Sequence, residues 1–166
     1  MLPKVHVIIG LLFSIVVYFL FPSIGILGLL IIFLSSFLID VDHYIYFVLK
    51  KHNLSLIKAY RWFRKHEKLK ELLSKDPSIK QKIKNYHFGF FFLHGIEAIL
   101  VLLVLFYFTK SLIFIEVVLG FIIHQILDFI ELYKFDKQYG VSRYYKMSFL
   151  YTWITQKNKK PVEELL

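Results

Sequence analysis

Four long apolar runs constrain this chain more than any other feature. They cover about residues 5–21, 24–49, 88–108 and 112–132. Each reaches or approaches the roughly 20 residues a helix needs to cross the hydrocarbon core of a bilayer. In lipid the backbone must satisfy its own N–H and C=O groups, which an isolated run can do only as a helix. The expected fold class is therefore all-α, an integral membrane bundle of four transmembrane helices. Composition agrees: 57% of the 166 residues are hydrophobic and only 20% are charged, more apolar and less charged than a soluble domain. Met1 to Lys4 before the first run resembles the start of a secretory signal. No small-x-small cleavage site follows, so the run reads as a retained span, with a cleaved signal as the alternative.

Charge sets the direction of the spans. The segment from Lys50 to Tyr86 holds 12 Lys and Arg, and the chain from Tyr133 onward holds 7. The two other connections are short, with no basic residue at Pro22-Ser23 and only Lys110 in the second. The positive-inside rule then makes the 50–86 loop, the tail and the N-terminus cytoplasmic. This predicts a multi-pass protein of the plasma (inner) membrane, with a membrane domain over 1–133 and an interfacial tail over 134–166. The net charge of +9 points to anionic lipid headgroups of the inner leaflet as partners. No nucleic-acid-binding motif accompanies the basic residues, so no nucleic-acid partner is expected.

Within the 50–86 loop, apolar residues recur among Lys and Arg from Leu54 to Leu73, the pattern of a basic amphipathic helix on a membrane surface. A solvated charged linker is the alternative. Asp76-Pro77 reads as a helix start. The Tyr- and Trp-rich stretch from Tyr144 to Ile154 reads as interfacial, and 157–166 as disordered. No internal repeat is evident.

The apolar runs carry ionisable residues that cost about 2.5–3.5 kcal/mol each at a membrane centre. His6 opens the first run, Asp40, Asp42 and His43 close the second, His94 and Glu97 lie early in the third, and His124 and Asp128 lie late in the fourth. With alternating span direction, all of them fall at similar depth on the cytoplasmic side. Glu116, near the outer start of the fourth run, reads as snorkelling. His124 and Asp128 share a helix face, as do Asp40 and His43; His87 and His94 are nearly aligned, whereas Asp42 points away from Asp40 on a regular helix. Taken singly, each residue has an ordinary structural role: His87 as a satisfied polar group, Asp40 as a helix cap, His52 and His66 as solvated loop residues.

Gathered carboxylates repel one another unless a cation joins them or some are protonated, and the spans bearing them contain no Lys or Arg. Cysteine is absent, which excludes disulfides and thiolate sites. Mixed imidazole and carboxylate donors suit zinc, manganese or iron better than calcium or magnesium. A set this large also has room for two ions and two-metal hydrolysis.

The run Leu38-Ile39-Asp40-Val41-Asp42-His43, the early His6-x-x-x-Gly10 and the late His124-x-x-x-Asp128 resemble a known group. They are similar to the membrane-bound metal-dependent hydrolases of prokaryotes, also described as LexA-binding, inner-membrane-associated hydrolases. The resemblance implies ligand roles for His6, Asp40, Asp42, His43, His94, His124 and Asp128. This chain has Ile39 where the family pattern has proline, and a wider spacing from His87 to His94 in the middle element.

Two functions follow as expectations. The first is a metal-dependent hydrolase, with zinc or manganese on His6, Asp40, His43, His94, His124 and Asp128. Asp42 or Glu97 would serve as its general base, and its substrate would be a lipid or lipid-linked ester or phosphoester. No Gly-x-Ser-x-Gly or Cys-His pair competes with it. The second is a non-enzymatic membrane protein, an ion or proton carrier or a metal-stabilised structural partner.

Overall fold

The computed structural model of the chain describes residues 3–75, 78, 86–87, 89–140 and 144–161. It is mostly helical. Helix α1 (Pro3–Leu20) and helix α2 (Gly25–Leu38) form a hairpin whose turn is a 3₁₀ segment at Pro22–Ile24. Proline at the first position of that turn supplies a fixed φ, and Gly25 takes the positive φ of 65° that closes it. After a two-residue break, α3 (Val41–Lys51) continues in the same direction and ends on His52 in the left-handed region.

Helix α4 (Leu56–Lys75) is the basic amphipathic element. Its Ala59 and Trp62 pack on Phe47 of α3. Asp76-Pro77 lies outside the described residues. Beyond them, α5 (Ile96–Thr109) and α6 (Leu112–Tyr139) form a second hairpin, and α7 (Phe149–Gln156) follows a short 3₁₀ turn at Tyr144–Met147. Two short strands, β1 (Tyr86–His87) and β2 (Lys160–Pro161), pair in parallel. The stretch expected to be disordered thus contains an ordered pair at 160–161, held by backbone hydrogen bonds. Helix α6 also runs past the expected boundary at 133, because Leu132 and Phe135 are buried and keep that face packed.

Two stretches, Pro22–Lys51 and Leu112–Gln138, are long and apolar enough to cross a membrane; Val5–Leu20 and Ile96–Thr109 are apolar but shorter. The third expected span is helical only from Ile96. Ahead of it, Gly89 has a φ of 107° and Gly95 is extended, so residues 89–95 run as an irregular segment beside the bundle.

A repeat hidden in the sequence emerges from these elements. Shifting the numbering by 88 matches one hairpin to the other. The left-handed caps His52 and Gly140 correspond, as do the buried Phe47 and Phe135, and Ser23 and Ser111 fall in the two turns. The same shift carries His6 onto His94 and Asp40 onto Asp128. Helices α2 and α6 pack side by side and parallel. A Cβ on Gly28 would meet Glu116, one on Gly120 would meet Ile32 and Ser35, and His124 faces Ser36. Small residues let these backbones approach, as is common between helices in lipid. Glu116 does not snorkel: it is buried, 8% exposed, against Gly28.

Candidate metal centre

The break between α2 and α3 builds the site. The Asp40 N–H bonds the Phe37 carbonyl, three residues back, and the Asp42 and His43 N–H groups make the same short step to Ile39 and Asp40. This 3₁₀ tightening leaves the Ser36 carbonyl to another partner. It accepts a hydrogen bond from His124 Nδ1 at 2.8 Å. Helix α6 then points His124 Nε2 and Asp128 at the break, one turn apart.

His94 arrives from the irregular segment. Asp42, fully buried, takes the Leu93 backbone N–H on Oδ2 at 3.0 Å and the His94 Nδ1 hydrogen on the same oxygen at 3.0 Å. Its Oδ1 accepts from His43 Nδ1 at 3.0 Å. Asp42 points away from Asp40 along the helix, yet the segment wraps around it, so both carboxylates reach the His94 ring. Asp40 Oδ1 lies 3.3 Å from His94 Nε2.

Two triangles of donor atoms share the His94–His124 edge, one closed by Asp40 and the other by Asp128. His94 Nε2 is 3.2 Å from His124 Nε2, 3.3 Å from Asp40 Oδ1 and 3.5 Å from Asp128 Oδ2. His124 Nε2 is 3.6 Å from Asp40 Oδ1 and 3.4 Å from Asp128 Oδ2. A four-coordinate ion with bonds of about 2.0–2.2 Å holds its donors about 3.3–3.6 Å apart. The five distances fall on or beside that range. With both Nδ1 atoms donating elsewhere, the two facing Nε2 atoms are held together by a shared proton or by a metal cation. The Nδ1 bonds to Asp42 and to the Ser36 carbonyl fix both Nε2 lone pairs toward the centre, the usual backing of metal-binding histidines. The donor set therefore fits a buried metal ion. Overlapping triads, His6–Asp40–His124, Asp40–His43–His94 and His94–His124–Asp128, are each close enough to hold one.

His6 lies beside this group, stacked on His124 with ring centroids 4.2 Å apart, and its Nε2 is 3.3 Å from Asp128 Oδ1. His43 stacks on Phe91 at 3.9 Å, its Nδ1 3.5 Å from Asp40 Oδ1.

One expected site residue stands elsewhere. Glu97 does not join the centre. Its Oε1 accepts from Ser148 Oγ at 2.5 Å and from the Leu150 N–H, and its Oε2 from the Phe149 N–H, so it caps the start of α7. Its three-residue spacing from His94 would align the two only on a helix, and the chain is not helical before Ile96. His87 likewise is not brought to His94: its Nδ1 accepts from the Gly89 N–H and its ring packs on Phe90. Both oxygens of Asp42, the other expected general base, accept from N–H donors, Oδ1 from His43 and Oδ2 from His94 and Leu93. The Ser36 carbonyl and the Leu93 N–H were not foreseen, because a backbone group leaves no side-chain signal.

Comparisons with protein-family models, with curated proteins and with solved structures found no match for this chain.

Proposed function

We propose that this chain is a four-span membrane protein carrying a metal-dependent hydrolytic centre at the cytoplasmic ends of its helices. The observation that carries this reading is that the facing His94 and His124 Nε2 atoms lie at metal-ligand spacings from each other and from the Asp40 and Asp128 carboxylates. The family resemblance in the Asp40-Val41-Asp42-His43 and His124-x-x-x-Asp128 elements agrees with it. Zinc or manganese suits the donors best. Membrane crossing by all four hairpin helices is supported by their lipid-compatible outer faces. Ile8, Leu12, Val16 and Phe19 of α1 and Leu100, Val104 and Phe108 of α5 are exposed apolar side chains, more than a water-facing surface tolerates. Basic residues gathered at one end favour an orientation with both termini cytoplasmic.

When bound, such an ion supplies Lewis acidity and lowers the pKa of a coordinated water toward about 7. The chain's own residues do the rest. Asp42 holds His94 in its ligating tautomer and, through its other oxygen, holds the His43 Nδ1 hydrogen, so that His43 Nε2 is the basic atom. His43 is the titratable side chain best situated to accept a proton, being partly exposed and beside Asp40. The site's depth favours a substrate presented from the inner leaflet, a lipid or lipid-linked ester or phosphoester. A carrier function gains less support: the Ser14, Ser35 and Ser36 hydroxyls all donate to carbonyls of their own helices, which does not make a relay through the outer half.

The test is a hydrolysis screen of lipid phosphoesters and carboxylic esters in mixed micelles, with wild type, His43→Ala and chelator-treated protein. Turnover that is lost in the variant and with chelator, and restored by metal, is expected. Metal-replete protein that hydrolyses neither class would refute the reading.

A further inference from the structure

The offset of 88 relates the two hairpins at the centre as well as in their caps. His6 Nε2 lies 3.3 Å from Asp128 Oδ1, and its counterpart His94 Nε2 lies 3.3 Å from Asp40 Oδ1. Each hairpin therefore directs its histidine at the aspartate of the other, and the two contacts are reciprocal. Parallel repeats in membrane proteins meet in this way about an axis along the membrane normal, with the site at their interface.

The four donors around His94 account for only one of these two contacts. Asp128 divides its oxygens, Oδ2 facing His94 and His124 and Oδ1 facing His6. His6 is 2% exposed, and neither ring nitrogen has a hydrogen-bond partner among the described residues; the approach to Asp128 does not meet hydrogen-bond geometry. A buried imidazole whose ring nitrogens lack well-formed hydrogen bonds is costly unless something else engages them. Asp40 and His124 place their donor atoms within reach of the same ion as His6.

We infer that the centre holds two divalent cations, the second bound by His6 and Asp128 Oδ1 with Asp40 alongside, so that His6 serves one ion and its repeat counterpart His94 the other. Asp128 bridges the two positions. The inference rests on the metal-centre reading and extends it from one ion to two, the arrangement that clamps both oxygens of a displacement at phosphorus.

The experiment loads detergent-purified full-length protein with manganese(II) alone. It measures ions per chain and the electron paramagnetic resonance spectrum, for wild type and for His6→Ala. Two ions per chain with an exchange-coupled spectrum are expected in the wild type, and one ion with the spectrum of isolated manganese in the variant. If the alanine variant does not fold, by circular dichroism, His6→Phe is read in its place. One ion in the wild type would overturn the second position and leave the metal-centre reading intact. No ion in the wild type would overturn both. Two ions retained in the His6 variant, or both lost from a folded one, would refute the assignment of His6 to the second ion.

Discussion

Asp42 is the residue whose replacement says most about how the centre is held. Its carboxylate accepts three hydrogen bonds, from His43 Nδ1, His94 Nδ1 and the Leu93 N–H, each at 3.0 Å. Alanine would strip all three buried donors of their acceptor at about 1–3 kcal/mol each, a sum comparable with the whole stability of a domain of about 5–15 kcal/mol. The substitution Asp42→Asn is the more informative change. The side chain keeps its shape, but its single oxygen serves only one side, and its NH₂ group faces an N–H donor on the other. One imidazole must turn or change tautomer, and neither keeps a charged acceptor. Loss of such backing weakens metal binding by about 10–100-fold, or about 1.4–2.8 kcal/mol. Competition between the purified protein and a chelator of known affinity reads this directly. Affinity within twofold of wild type, with the fold intact, would refute the role given to Asp42.

Three other outcomes are expected. His43→Ala should retain metal at wild-type affinity yet lose hydrolysis by about 10²-fold or more, the range for a general base; loss of metal instead would make His43 a ligand. Glu97→Ala removes the cap from α7. It should cost about 1 kcal/mol and shift Trp153 fluorescence while metal content stays unchanged. Gly120→Ala sets a Cβ 2.5 Å from the Ile32 carbonyl, a backbone atom that cannot step aside. It should separate α2 from α6 and lower the unfolding free energy by about 1–3 kcal/mol, measurable by thermal denaturation in detergent.

The helices were legible because apolar length is a property of each run by itself. The common level of His6, Asp40, His94, His124 and Asp128 along the bundle was legible for the same reason, since direction alternates from one apolar run to the next. What local pattern could not supply was the path of residues 89–95. Reading them as helix aligned His87, His94 and Glu97, whereas the segment bends at Gly89 and Gly95 and separates the three. Asp42 looked misdirected beside Asp40 because a helix-face argument does not see a segment wrapping from another part of the chain. The tightening at residues 39–43 needs no proline at Ile39: the short-step hydrogen bonds to Phe37, Ile39 and Asp40 carry it. The repeat stayed hidden because its helices are filled with interchangeable apolar residues. Only the caps, the turns and the His–Asp pairs at a shift of 88 reveal it.

The most direct test of the central claim is elemental analysis of the detergent-purified protein after extensive dialysis, comparing wild type with Asp40→Ala and His124→Ala. The centre requires at least one equivalent of a transition metal in the wild type and a fall to background in both variants. A wild type free of metal, or variants that keep it, would contradict the account.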